Sequence, residues 1–175
     1  MKHNVIIRKA TPEDAALLAT VGARTFRDAF ATQNDPADMT NYLQTAFTAE
    51  KMLQELEEPS ALFFLAELEE EAVGYTKVRA VKQPDCIPDT YPLELERIYV
   101  DQHVVGKGVG AALMQAAISA GQQQDYNTIW LGVWKENQAA ISFYQKWGYE
   151  IVGEHEFVIG TDVQHDYIMA RDLAG

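Results

Sequence analysis

The stretch Val105-Gly106-Lys107-Gly108-Val109-Gly110 sets three glycines and one lysine ahead of an alanine-rich apolar run. Residues of this kind suit an anion. Glycine lets the backbone approach a ligand closely. The first turn of a helix leaves N–H groups unpaired and carries about half a positive charge. A phosphate or pyrophosphate satisfies both needs, and Lys107 adds a cation. The stretch is not the phosphate loop of nucleotide hydrolases, because Gly106-Lys107 is followed by Gly108 instead of Ser or Thr, and position 101 is Asp instead of Gly. Gly106-x-Gly108-x-x-Ala111 fits a loose dinucleotide fingerprint. However, five residues separate Val100 from Gly106, where that fold turns sharply. The next strand also ends in Trp134-Lys135, not in a ribose-binding acid. Taken alone, the loop leaves a plainer reading open: a tight strand-to-helix connection that binds nothing.

A second constellation lies downstream. Asn137, Ile141 and Tyr144 are spaced i, i+4, i+7 and share one helical face. Asn137 and Tyr144 stand about 10 Å apart along the axis, at about 1.5 Å per residue. In isolation Asn137 reads as a helix cap and Tyr144 as a half-buried aromatic. His155 and His165 pair with no Cys or clustered acids at ligand spacing, so no metal is expected. A structural role suits His155 better than a place in an acceptor site. Cys86 is the only cysteine, so no internal disulfide can form, and Gln83-Pro84-Asp85-Cys86-Ile87-Pro88-Asp89 reads as a loop around it.

The elements that must position these residues are written in caps and periodicity. Val5 to Arg8 is a short strand. Thr11-Pro12-Glu13-Asp14 opens a helix with a capping residue, a proline and a capping-box acid; Leu18, Val21 and Phe26 lie near one face of it. Asp35-Pro36-Ala37-Asp38 repeats the signal for a helix carrying Tyr42, Leu43 and Phe47. A shorter helix follows with Leu53 and Leu56, and Pro59 lies beyond its end. Ala61 to Ala66 and Ala72 to Val81 read as strands joined by the exposed acidic turn Glu67-Leu68-Glu69-Glu70-Glu71. Strands at Glu94 to Val100 and Thr128 to Trp134 bracket a helix from Gly108 to Gly121, on which Leu113, Ala117 and Ile118 are apolar. A helix from Gln138 to Trp147 ends at Gly148. Glu150 to Phe157 and Tyr167 to Arg171 finish as strands. The alternation predicts one α/β domain over residues 1–175, a mixed sheet with helices on both faces.

Composition narrows the function. The net charge of −12 repels nucleic acid and attracts a cationic substrate. No apolar run approaches the roughly 20 residues of a membrane helix. The N-terminal apolar stretch is too short for a signal peptide, so a cytoplasmic location is expected.

Strand, Gly106-Lys107-Gly108-Val109-Gly110, helix, strand, then Asn137-x-x-Ala140-x-x-Phe143-Tyr144-x-x-x-Gly148-Tyr149 resembles the GNAT N-acetyltransferase superfamily. The resemblance implies a twisted, mostly antiparallel sheet whose central strands splay apart, with acetyl-CoA as cosubstrate. It implies that the backbone of Ile98, Tyr99 and Val100 holds the pantetheine arm. Val105, Gly106, Lys107, Gly108, Val109, Gly110 and Ala111 would hold the pyrophosphate, and Asn137 and Tyr144 would contact the cofactor from the next helix. Val105 departs from the Gln or Arg common at its position, so one side-chain contact is absent. A narrower resemblance is to PaiA-type polyamine acetyltransferases. It runs through Phe26, Asn34, Tyr42-Leu43, Phe47, Glu96-Arg97-Ile98-Tyr99, Trp130-Leu131-Gly132-Val133-Trp134 and Gly153-x-His155-x-Phe157-x-x-Gly160-x-x-x-Gln164-x-Asp166-x-Ile168-Met169-Ala170. It suggests spermidine or spermine as the small-molecule acceptor and admits a homodimer.

The family reaction is direct attack of an amine on the thioester. An alkylammonium has a reference pKa of about 10.4, so only about one molecule in 10³ is neutral at pH 7 and a proton must be removed. Glu94 matches the family position for that base, and Glu96 points to the same side of its strand; cation attraction is the alternative role for both. Tyr144 matches the family acid that protonates the departing thiolate. A phenol near pKa 10 is a weaker acid than a thiol near 8.5, so full transfer is uphill by about 2 kcal/mol at reference values. Tyr144 therefore fits a hydrogen-bond donor unless its pKa is lowered. Two other functions stay open: the same chemistry on a protein or antibiotic amine, and a non-catalytic acetyl-CoA-binding regulator.

Overall fold

The capping signals place the N-terminal helices where expected. In the computed structural model, which describes residues 4–30, 35–88, 91–159 and 161–173, Thr11 caps a short 3-10 helix, Pro12–Asp14. The Thr11 N–H donates to Asp14 Oδ2 at 2.8 Å, and α1 (Ala15–Phe30) follows. Asp35 caps α2 (Pro36–Ala46), accepting from the Ala37 N–H. Thr48 caps α3 (Ala49–Leu56). Asn34 and Gly160, named in the narrower resemblance, lie outside the described residues, as do Met1 to His3 and Asp89.

Residue contacts group the chain into two compact units, Met1–Val78 with Arg97–Ala117, and Arg79–Glu96 with Ile118–Gly175. The first holds α1, α2, α3, β1 (Val5–Lys9), β2 (Ala61–Leu68), β3 (Glu71–Arg79) up to Val78, and the end of β4 (Pro92–Val100). Its strands run in the order β1-β2-β3-β4, with β1 antiparallel to β2. Side chains alternate across β2. Phe63 and Leu65, with Tyr75 of β3, pack on Leu18, Val21, Leu43, Phe47 and Met52 of the helices. Ala66 and Leu68 face the other way, onto Val109 and Leu113 of α4 (Val109–Gln123). Helices thus cover both faces of this part of the sheet.

The second unit holds the start of β4, the end of α4, β5 (Thr128–Trp134), α5 (Gln138–Lys146), β6 (Glu150–Ile159) and β7 (Asp162–Asp172), in the strand order β4-β5-β7-β6. β4 and β5 are parallel; β5 with β7 and β6 with β7 are antiparallel. The fold is therefore the expected mixed, mostly antiparallel α/β type. β4 and β5 pair from Pro92 to Glu94 with Thr128 to Trp130. β6 is the outer strand and exposes Ile151, Val152 and Val158.

Some boundaries differ from the sequence reading. β3 ends two residues before Val81, β4 starts two before Glu94, and β7 begins at Asp162, five before Tyr167. In α3 the buried positions are Met52 and Glu55, whereas Leu53 is exposed. Glu67 lies in β2 and hydrogen-bonds Arg8, so it is not part of the free acidic turn.

Candidate active site

The glycine loop belongs to the first unit. Val104 and Val109 are 3% and 1% exposed and sink into one cluster with Leu113 and Val73. Between these anchors Val105, Gly106, Lys107 and Gly108 are exposed. Gly106 and Gly108 adopt φ of 91° and 86°, a region costly for other L residues. A Cβ added at either would meet no atom within 4 Å. The loop's shape therefore comes from the backbone conformation, not from crowding. The five residues after Val100 hold a 3-10 turn, Gln102–Val104. Its start is pinned by Asp101, 1% exposed, which accepts from Arg24 Nε and Nη2 at 2.7 Å each. That pairing raises the Arg24 pKa above its ordinary value.

Which N–H groups can serve an anion follows from the hydrogen bonds. The Val105 N–H donates to Gln102 O at 3.3 Å and the Lys107 N–H to Val104 O at 3.1 Å, so both are used inside the turn. The first ladder bond of α4 runs from the Ala112 N–H to Gly108 O. The N–H groups of Val109, Gly110 and Ala111 lie in the turn before that ladder begins. A polyphosphate fits here: donors at a helix start, an exposed approach and the exposed Lys107. Val105 is 62% exposed and offers no polar side chain.

In β4, Ile98 and Val100 pack toward the cluster of Val104 and Val109. Tyr99 turns the other way, with its ring 6.2 Å from Phe26 and 5.8 Å from Tyr75. Phe26 lies 4.9 Å from Tyr42 and 5.5 Å from Phe47. The aromatics of the narrower resemblance thus gather beside Tyr99. Near Tyr75 lies an ion cluster the sequence did not announce. Glu55 Oε1 accepts from Lys77 Nζ at 2.6 Å and pairs with Arg97 Nη2 at 2.7 Å. Burial pushes the Glu55 carboxyl up, but Lys77 and Arg97 outweigh it and hold it below its ordinary value. Burial raises the Tyr75 phenol well above 10.

The remaining candidates belong to the second unit. Glu94 and Glu96 share one guanidinium: Arg79 Nε lies 2.6 Å from Glu94 Oε1 and 3.4 Å from Glu96 Oε2. Arg79 was missed in sequence because it ends β3, where a lone basic residue reads as solvated. Asn137 caps α5, its Oδ1 accepting from the Ala140 N–H at 3.2 Å; the plain reading of that residue holds. Tyr144 is half-buried, with its ring against Phe143 and Tyr149. His165 Nδ1 is 3.7 Å from Glu156 Oε1. No cluster of metal-ligating side chains occurs among the described residues. Cys86 sits in a turn, with Sγ against Gly153. It lines an open 490 Å³ cavity with Thr128, Glu150 and Arg171. No helix among the described residues is long and apolar enough to cross a membrane.

The chain is similar to known proteins in sequence and fold. The acetyltransferase (GNAT) family model matches residues 24–149. An uncharacterised N-acetyltransferase of Lactobacillus delbrueckii subsp. lactis is 30% identical over 169 residues, 97% of this chain and 98% of that one. The crystal structure of PaiA N-acetyltransferase from Thermoplasma acidophilum in complex with coenzyme A has a TM-score of 0.77 at 21% identity, over 97% of this chain and 99% of that chain. That likeness is one of fold. A Bacillus subtilis subsp. natto protein named "Probable spermine N(1)-acetyltransferase" is 33% identical over 64 residues, 36% of this chain and 42% of that one.

Proposed function

This chain belongs to the acetyltransferase (GNAT) family, and from that premise we propose that it is an acetyl-CoA-dependent N-acetyltransferase acting on a primary amine of a polyamine such as spermidine or spermine. The observation that carries the cofactor half is the loop around Gly106 and Gly108, with its positive φ, open surroundings and helix-start donors. Val109, Gly110 and Ala111 are assigned the pyrophosphate through their N–H groups. Lys107 adds charge, and Gly106 and Gly108 shape the turn. Val105 supports the turn through its backbone, its N–H being held by Gln102 O. Ile98, Tyr99 and Val100 are assigned the pantetheine arm, with Asn137 and Tyr144 as further contacts. Bound acetyl-CoA supplies the activated acetyl thioester.

The acceptor half rests on charge. A net charge of −12 favours a cation, and the spermine enzyme shares part of the sequence. Glu94 and Glu96 are assigned to the proton that the acceptor must lose, directly or through a water. Arg79 orients both carboxylates. Tyr144 is assigned the hydrogen bond to the departing thiolate, which falls within the reach of a phenol even where full proton transfer is uphill.

The test is acetyl-CoA-dependent CoA release across polyamines, aminoglycosides and lysine peptides. Turnover of spermidine or spermine above the others is expected. Preference for an aminoglycoside or peptide would replace the acceptor. CoA binding with no turnover of any amine would make the protein a regulator.

A further inference from the structure

Side chains of β5 alternate between two faces. Ile129, Leu131 and Val133 are buried on one; Trp130, Gly132 and Trp134 share the other, where Trp130 is itself buried against Ile87 and Ile168. Gly132 is exposed, flanked by two buried neighbours in the chain. Glycine weakens a strand interior and often marks a place where another group approaches the backbone closely. A Cβ added at Gly132 would have one neighbour within 4 Å, Asp166 Oδ2 at 3.5 Å. Asp166 reaches over from β7, opposite Trp134 in register. The result is a notch with an indole two residues to either side and a carboxylate at its rim.

Two buried polar atoms beside the notch lack partners. Asp166 Oδ1 is buried without a hydrogen bond, and so is Trp130 Nε1. No cation among the described residues is paired with Asp166; its opposite neighbour on β6 is His155. Burial raises the Asp166 carboxyl, and the charge of His155 opposes that only in part. Asp166 is half-buried, but its Oδ1 is out of reach of water; a polar atom buried without a partner is costly, and such atoms in folded proteins nearly always find partners. An anionic or apolar occupant would add to that cost. A cation with N–H donors would satisfy the Asp166 oxygen, though not the Trp130 indole N–H, which is itself a donor, and indole faces attract such a cation within about 6 Å.

We propose that Gly132, Asp166, Trp130 and Trp134 form a cation subsite that holds a second ammonium group of the acceptor and so selects polyamines over monoamines. This rests on the amine-acetylating reading above. The spacing agrees with it. Glu94 pairs with Trp130, and Asp166 with Trp134, so all lie on one face. Four residues along β5 and two strand spacings separate Glu94 from Asp166, about 16 Å between Cα atoms before the side chains lean inward. An extended polyamine spans such a gap; a short monoamine does not.

The test compares the wild type with Asp166→Asn and Gly132→Ala. Kinetics would be measured with spermidine, spermine and a monoamine of matched length. Spermidine binding in the presence of CoA would be read by tryptophan fluorescence. Asp166→Asn should raise KM for both polyamines about tenfold or more, the loss expected for one partly buried ion pair, with kcat within about twofold and the monoamine KM unchanged. Gly132→Ala adds a methyl at ordinary contact distance from Asp166, so it should fold normally and show a smaller rise of the same selectivity. An unchanged ratio of polyamine to monoamine KM in both variants overturns the subsite while leaving the polyamine reading intact. If the wild type acetylates no polyamine, that reading fails, and binding decides the subsite. Fluorescence-detected spermidine binding that weakens in Asp166→Asn upholds it; no binding, or equal binding in both proteins, overturns it.

Discussion

Substituting Gly108 by alanine separates the two readings that the glycine loop allows. The position has φ of 86° and no atom within 4 Å of an added Cβ. The change therefore costs backbone strain and no clash, about 1–2 kcal/mol for an L residue held there. In a chain of this size that lowers Tm by about 2–8 °C, at roughly 2–4 °C per kcal/mol. If the loop relaxes to escape the strain, the N–H groups that follow turn away from the pyrophosphate. Losing one hydrogen bond to a charged group costs about 1.5–3 kcal/mol, which is about a 10-fold to 150-fold loss in CoA affinity. Calorimetric Kd for CoA, KM for acetyl-CoA and thermal melting measure the two effects separately. Gly121→Ala is the control. Its Cβ would sit 2.7 Å from Leu173 Cδ1, so it should lower Tm and leave CoA affinity alone. If Gly108→Ala lowers Tm and CoA binds as before, the loop is only a tight connection and the cofactor assignment is wrong.

Other substitutions probe the remaining roles. Tyr144→Phe should lower kcat about 10²-fold, the lower end of a general acid's contribution, with CoA affinity nearly unchanged; full turnover at saturating substrate would sink that assignment. Glu96→Gln should reduce kcat more than Glu94→Gln, because Glu94 is the closer partner of Arg79, and equal losses would contradict this division. Glu55→Ala leaves Lys77 and Arg97 without their shared carboxylate, and breaking such a buried pair costs about 3–5 kcal/mol; a melting temperature within error of the wild type would refute it. The Glu55 carboxyl is held below its ordinary value, so its stabilisation is complete above the ordinary carboxylate range and disappears as pH falls through the lowered value. Glu55→Gln should flatten that acid limb of stability against pH.

The parts of this fold governed by local chemistry were legible in the sequence. Asp35 and Thr48 cap helices through their side-chain oxygens, and the Thr11 N–H is held by the Asp14 carboxylate three residues on, so none of these needs a distant partner. The glycine loop falls between the strand and helix expected of it. Long-range pairing was harder to read. β7 extends back to Asp162 because β6 supplies a partner at Val158 and Ile159, which no local propensity encodes. Lys77, Arg97, Glu55 and Arg79 are charged, and charge in a sequence reads as solvent-facing; only folding brings opposite signs together. The same limit hid the notch. Gly132 and Asp166 are 34 positions apart in the chain, and their proximity depends on the β5–β7 register.

The outer strand β6 has a practical consequence. An exposed edge presents unpaired backbone to any other chain, and this one adds Ile151, Val152 and Val158. Interleaved with them are Glu150, Glu154 and Glu156, the residues that make self-pairing repulsive. That protection is electrostatic and so depends on the solution. As pH falls toward the isoelectric point near 4.6, the repulsion fades while the apolar edge stays in place. High salt acts in the same direction by shortening the reach of each charge. Association through this edge should therefore grow toward that pH and in high salt, and buffers well above pH 5 at modest ionic strength are those in which the protein should remain dispersed.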